Sequence, residues 1–279
     1  MGGGASDIPA MTLPALFLPH GGGPCFFMDP AGGPPDPIWQ PMQAYLAGLI
    51  GSLSEHPRAI LLVSGHWEEH DVTVHVGDGQ PLLFDYYGFP EHTYHLRWDA
   101  PGAPDIAMRA KALLDAAGFA TGVERERGWD HGVFVPMKVA VPGADIPLAQ
   151  LSLRADLDPA THVAIGKALA PLRDEGVLIV GSGMSFHNLR ARGPQVTPYA
   201  DAWDDALVAA ATDPDRARRE QRIVAWRELP YAEFAHPREE HLLPLMVAMG
   251  AGGEGGEGPA VCDYRDHVFG WAVSGFRFG

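Results

Sequence analysis

Thirteen histidines lie along the 279 residues, and three of them stand where a chain can place reactive groups. Ala15-Leu-Phe-Leu18 runs into Pro19-His20-Gly21-Gly22-Gly23. Arg58-Ala-Ile-Leu-Leu-Val63 breaks at Ser64-Gly65 and continues as His66-Trp67. Val177-Leu-Ile-Val180 passes through Gly181-Ser182-Gly183 towards His187. Each apolar run is short enough for a buried strand, and ligands of open α/β sheets bind outside the carboxyl ends of such strands. Three histidines just past three strands can therefore converge on one point. Imidazole binds iron, zinc, nickel and copper alike and exchanges protons near neutrality. Oxygen-activating non-haem iron sites typically have two histidines and one carboxylate, and catalytic zinc also takes three protein ligands. His20 and His66 are the first two candidates, and His187 is either a further ligand or a proton-transfer group. His131 follows Trp129-Asp130 at the start of an expected helix, where the dipole favours a neutral imidazole. His241, after Glu239-Glu240 on the first turn of another expected helix, can point back into the crevice.

The spacing elsewhere says what must position these groups. Helices are expected over 37–54, 105–117, 131–139 with Asp130 as side-chain cap, 158–174, 199–211, 213–227 and 238–249, the last stopped by Gly250. Strands are expected at 72–76, 121–126, 147–153, 260–264 and 271–276 as well. Strands alternating with helices give an α/β fold, a single domain with a mostly parallel or mixed central sheet, and the closing pair of strands antiparallel at one edge. Residues 80–104 have no clean period, and a loop that long walls a pocket or forms a lid. Within it His92 and His95 flank Tyr94, and they either line that pocket or are ordinary surface or core histidines. His56, His70, His75, His162 and His267 lack a strand-end or glycine context and read as surface or core positions. Residues 1–12 read as a flexible leader and 13–279 as the catalytic domain, with a Gly/Glu linker over 252–258.

Composition excludes several classes of function. A formal charge of −15 argues against nucleic acid, because phosphate contacts need clustered Lys and Arg. No apolar run approaches the length of a membrane span. Two cysteines, Cys25 and Cys262, are too few for a disulfide scaffold or a thiolate zinc site. With no basic region ahead of a long apolar stretch there is no secretory signal. A reduced, cytoplasmic setting is the simplest expectation. Met1-Gly-Gly-Gly-Ala-Ser6 matches the myristoylation pattern only literally. HExxH, Walker A and GxSxG motifs are absent, and Gly181-Ser182-Gly183 lacks the spacing of a serine nucleophile elbow.

Taken together, the motifs resemble a known family. Leu18-Pro-His20-Gly21-Gly22, Ser64-Gly-His66-Trp67, Trp129-Asp-His131-Gly132, Gly183-Met-Ser-Phe-His187-Asn188-Leu189-Arg190 and Glu240-His241-Leu-Leu-Pro244-Leu245 occur in the order seen in class III extradiol aromatic-ring-opening dioxygenases of the DOPA-dioxygenase type. The superfamily includes protocatechuate 4,5-dioxygenase, and the likeness runs from about residue 13 to 278. It implies one Fe(II) per chain, with Zn(II) an alternative in the same site, held at the carboxyl ends of the strands. His20 and His66 would be ligands, His241 or its neighbour Glu240 the third, and His187 a ligand or an acid/base. The resemblance further implies insertion of O2 into a catechol-type ring next to the diol, giving a ring-opened semialdehyde. His187 and His131 would move the two protons required, with Phe84, Tyr94, Trp129 and His131 against the substrate. Arg190 and Lys138 are the cations available for a substrate carboxylate. The partners implied are a small catechol and O2, without nucleic acid or membrane, and a homodimer is left open. The rival readings are a zinc hydrolase using the same histidines and a non-enzymatic metal-binding protein of the Memo type.

Overall fold

The strand-length apolar runs become eight strands, β1 (Ala15–Pro19), β2 (Ala59–Glu69), β3 (Val72–His75), β4 (Thr121–Glu124), β5 (Leu148–Arg154), β6 (Val177–Gly183), β7 (Val261–Val268) and β8 (Trp271–Phe278). The structure is a computed structural model that describes residues 12–253 and 258–279. The strands form one mixed sheet in the order β4-β3-β5-β2-β6-β1-β8-β7. Its centre, β5-β2-β6-β1, is wholly parallel, and β8 and β7 close one edge antiparallel. β1 and β6 are buried along their whole length, which is why they read as unbroken apolar runs rather than alternating ones. The expected α/β architecture with a mixed central sheet is present.

The helices are α1 (Gln40–Ala47), α2 (Pro104–Ala116), α3 (His131–Ala140), α4 (Pro159–Leu169), α5 (Pro171–Asp174), α6 (Thr197–Ala211), α7 (Arg216–Val224), α8 (Ala232–Ala235) and α9 (Leu243–Gly253). α9 packs on β1, β2, β6 and β8, and α3 on β2 and β6. Among the described residues no helix is long and apolar enough to cross a membrane.

Several boundaries differ from expectation for physical reasons. The helix over 37–54 shrinks to α1 between two 3-10 turns, because Gly48 and Gly51 follow its one well-buried stretch. The 158–174 helix breaks at Ala170-Pro171, since proline cannot continue the hydrogen-bond ladder. α9 begins only at Leu243 and runs past Gly250 to Gly253, so His241 precedes the helix instead of riding on its first turn. Gly250 is tolerated because its missing side chain lets the backbone of α4 approach: a Cβ there would lie 2.2 Å from the Val163 carbonyl. Residues 1–11 of the expected leader and 254–257 of the expected linker lie outside the described residues.

Candidate metal centre

Strand order sets the geometry. β6 lies between β1 and β2, so His20 and His66 start two strand spacings apart, roughly 9–10 Å. Two devices bring their rings together. At the end of β1, the His20 amide donates to the Gly183 carbonyl (3.1 Å), continuing the ladder one residue past Pro19. In β2 the register against β5 jumps from Val63↔Leu151 to Glu68↔Leu153. Four residues of β2, Ser64 to Trp67, thus stand opposite one of β5, and such a bulge re-aims a side chain. His66 therefore sits inside a distorted strand, not beyond its end as the sequence suggested. The third imidazole comes from the segment before α9. Gly65 and Gly183 make room for it: a Cβ on Gly183 would lie 2.1 Å from the His241 carbonyl, and one on Gly65 3.1 Å from that of Glu240.

The result is a cluster of three nitrogens. His66 Nε2 lies 3.3 Å from His20 Nε2 and 3.1 Å from His241 Nε2. The outer nitrogen of each ring has its own partner. His66 Nδ1 is 3.1 Å from an Asp85 oxygen, and His241 Nδ1 is 2.8 Å from Glu240 Oε1. A carboxylate only accepts, so both Nδ1 atoms carry the proton. His20 Nδ1 is 3.2 Å from Ser182 Oγ, whose own proton goes to the Gly132 carbonyl, so here too Nδ1 is the donor. All three Nε2 atoms are left as bare lone pairs facing one another. Facing lone pairs repel in the absence of a cation, and outer partners that fix the tautomer are the usual second layer of a histidine metal site. The donor set fits a divalent transition metal.

Each of the two carboxylates also holds a second imidazole. Asp85 Oδ1 accepts from His131 Nδ1 (2.7 Å) and from the His131 amide (3.0 Å), leaving His131 Nε2 as an acceptor. Glu240 Oε1 is 3.4 Å from His187 Nδ1, and the His187 ring stacks on His241 with centroids 3.4 Å apart. The arrangement repeats: His66–Asp85–His131 on one side, His241–Glu240–His187 on the other. His187 thus groups with Glu240 and His241, outside the three-nitrogen cluster, and Glu240 stands behind His241 rather than in its place.

The electrostatics follow from burial. Desolvation, aided by the neighbouring imidazoles, pushes His20 and His241 well below the usual histidine value. Desolvation also lowers His131, only partly offset by Asp85. It opposes charge on His66 as well, but there the Asp85 bond and the charges of Asp130, Asp85 and Glu240 prevail and raise it. Burial works against the Asp85 carboxylate, yet the bonds from His131 and His66 outweigh it and hold the group well below its normal range. Asp130 makes no side-chain cap bond to α3, contrary to expectation. It accepts instead from Ser64 (2.7 Å), Gln150 (2.6 Å) and Arg127 (3.1 Å), and Arg127 also bonds the His66 carbonyl. That network braces the bulge.

The histidines line a cavity of about 710 Å³ together with Trp39, Tyr86, Phe89, Phe269 and Trp271. Of the residues expected against the substrate, His131 lines it. Phe84, Tyr94 and Trp129 do not: Phe84 and Tyr94 pack behind Tyr86, and Trp129 is fully buried beside His75. The long loop does wall the cavity, through Tyr86, Tyr87 and Phe89 instead. His92 and His95 bond Phe27 and Glu91 and lie off the cavity. Sequence reasoning missed Asp85, Ser182 and His236. A carboxylate directly before an aromatic pair in an irregular loop carries no local signal for Asp85, and the other two act from behind the cluster.

The family model of the catalytic LigB subunit of aromatic ring-opening dioxygenase matches residues 14–276. The chain belongs to this family. It is accordingly a metal-dependent extradiol ring-cleaving dioxygenase acting on a small aromatic substrate and O2. Among its relatives is a 4,5-DOPA dioxygenase extradiol of Beta vulgaris, 42% identical over 205 residues (72% of this chain, 75% of the relative). Dioxygenase tasH of Hapsidospora irregularis is 39% identical over 264 residues, covering 86% of this chain and 78% of its own length. A crystal structure of an uncharacterized protein from Escherichia coli K12 superposes with a TM-score of 0.75 at 28% identity, over 96% of this chain and 100% of that one.

Proposed function

We propose that the site holds one Fe(II) on His20, His66 and His241 and opens a catechol whose substituent extends into the cavity. The observation that carries this reading is the set of three Nε2 lone pairs, each fixed by an outer partner, on the wall of a cavity larger than a single ring requires. Bound iron supplies a charge that favours the catecholate and an electron relay to oxygen. Zinc fits the same nitrogens but has no redox chemistry.

The protein's own part is positioning and proton movement. His131 Nε2, an acceptor kept neutral by burial, takes the proton of a catechol hydroxyl, and the imidazolium formed is stabilised by Asp85. His187, backed by Glu240 in the same way, returns a proton as the dioxygen bond breaks. Tyr86 and Phe89 wall the ring and exclude water, and Tyr86 is held by its hydroxyl on the Thr93 carbonyl (2.6 Å). An inert protonated base would not serve, so the neutral state of His131 matters at working pH.

The test is anaerobic loading with Fe(II), then oxygen uptake with a panel of catechols. One O2 consumed per yellow ring-fission product is the expected result, and His66→Ala should bind no stoichiometric metal. Tight zinc that iron does not displace, with no oxygen uptake on any catechol, would overturn the reading.

A further inference from the structure

The cavity has one positively charged wall residue that neither the metal cluster nor the proton-transfer histidines account for. Among the described residues Arg192 is the only Lys or Arg lining it, and Asp36, with which it makes no ion pair, is the only Asp or Glu. Its guanidinium lies 5.0 Å from the Phe269 ring centroid and 5.6 Å from that of Trp271, both of which line the same cavity. Among the described residues it makes no ion pair. Ten other arginines do, each with an Asp or Glu within 4 Å: Arg58, Arg109, Arg127, Arg154, Arg218, Arg222, Arg227, Arg238, Arg265 and Arg277. The cations that the sequence offered for a carboxylate lie elsewhere. Lys138 donates to the Arg97 carbonyl (2.8 Å), and neither it nor the exposed Arg190 lines the cavity.

The backbone around Arg192 is fixed from both sides. The Trp271 indole N–H donates to the Ala191 carbonyl, and the Gly193 amide donates to the Phe269 carbonyl (2.8 Å). Phe269 and Gly270 form the two-residue turn between β7 and β8, with φ of 55° and 90°. That is the mirror-image turn a tight hairpin favours, but it is uncommon for a phenylalanine and holds an aromatic ring at the cavity wall at a cost in strain. The aromatic wall is continuous with the histidine cluster. Phe269 packs edge-on against Trp39 (5.5 Å), and Trp39 lies where a Cβ on Gly21, next to His20, would touch it. Arg192 is exposed, but its backbone is anchored on both flanks and its guanidinium is stacked on two rings with no ion pair among the described residues, so it is placed to pair with a carboxylate.

We infer that Arg192 is the residue that selects catechols bearing a carboxylate on their side chain, by pairing with that carboxylate within the cavity that the histidine cluster also lines. The inference rests on the ring-opening reading above. Fe(II)-loaded wild type, Arg192→Met and Arg192→Lys are compared on dihydrocaffeate and its methyl ester, which differ in charge but scarcely in shape. Wild type should favour the acid in kcat/KM by about tenfold or more, the scale of a charge-assisted hydrogen bond. Arg192→Met, which keeps the stem that packs on the rings, should lose that preference, chiefly through KM for the acid. Arg192→Lys should fall between, since a point charge lacks the planar fork. If wild type opens both equally well, or Arg192→Met keeps the preference, ring opening stands and the role of Arg192 is wrong. If wild type opens neither these nor catechol itself, the ring-opening reading falls and this inference with it.

Discussion

Asp85 and Glu240 are the residues on which the chemistry turns, although neither faces the proposed metal directly. Asp85 holds the Nδ1 atoms of both His66 and His131, and Glu240 accepts from His241 Nδ1 with His187 Nδ1 3.4 Å away, so each carboxylate orients a ring of the three-nitrogen cluster beside a second imidazole on the cavity wall. A neutral amide at position 85 would have to offer its N–H to one of two donors and would leave one ring unheld. Asp85→Asn should therefore weaken metal binding about 10–100-fold, the usual effect of losing an outer partner. His131→Ala should keep full metal content and lose about 10²–10⁴ in rate, as for a general base. Metal per chain by elemental analysis, alongside oxygen uptake, checks both. A His131→Ala protein stripped of metal would show that the ring is a ligand.

Strands and loops decide whether those residues meet. His66 reaches His20 only because β2 bulges, and His241 reaches both only because two strands present glycine to its backbone. Gly183→Ala should displace the His241 carbonyl, which also accepts the Met184 amide (3.0 Å). A loss of about 1–3 kcal/mol, the scale of an overpacked core, is expected together with lower metal occupancy. Unchanged metal content in a folded Gly183→Ala protein would mean that this contact does not place His241. The sequence made the ligand strands legible, since glycine after an apolar run marks both a strand end and a close approach. It misplaced His241 on a helix because the apolar period of α9 extends back over residues that the chain uses as a turn. It put Phe84, Tyr94 and Trp129 at the substrate because aromatic content alone does not tell the cavity side of a loop from its core side.

For the molecule as a whole, buried neutral histidines couple stability to acidity. His236 is fully buried between Trp203 and Trp226, donates to the Ser185 carbonyl (2.9 Å), and is pushed by burial to about 4. Burial lowers His162 likewise. An unfolded histidine titrates near ~6.5, so below that pH the unfolded chain binds protons that the folded one refuses. The stabilisation is complete above about pH 6.5 and is lost as pH falls towards about 4, with His236 alone contributing on the order of 3 kcal/mol. Urea midpoints at pH 7.5 and 5 should drop steeply in metal-free wild type and less in His236→Gln. An equal drop in both would assign the acid sensitivity to other groups.

The sheet order also sets a timetable. Leu16 of β1 pairs with Val180 of β6 and Arg277 of β8, so the strand that delivers His20 has no sheet neighbour until β6 has been made, and no second one until β8 follows. At ordinary ribosomal speeds that wait is on the order of ten seconds or more. His20-Gly-Gly-Gly23 passes it as nascent chain without its sheet, and the three-nitrogen cluster cannot assemble before His241 has been made.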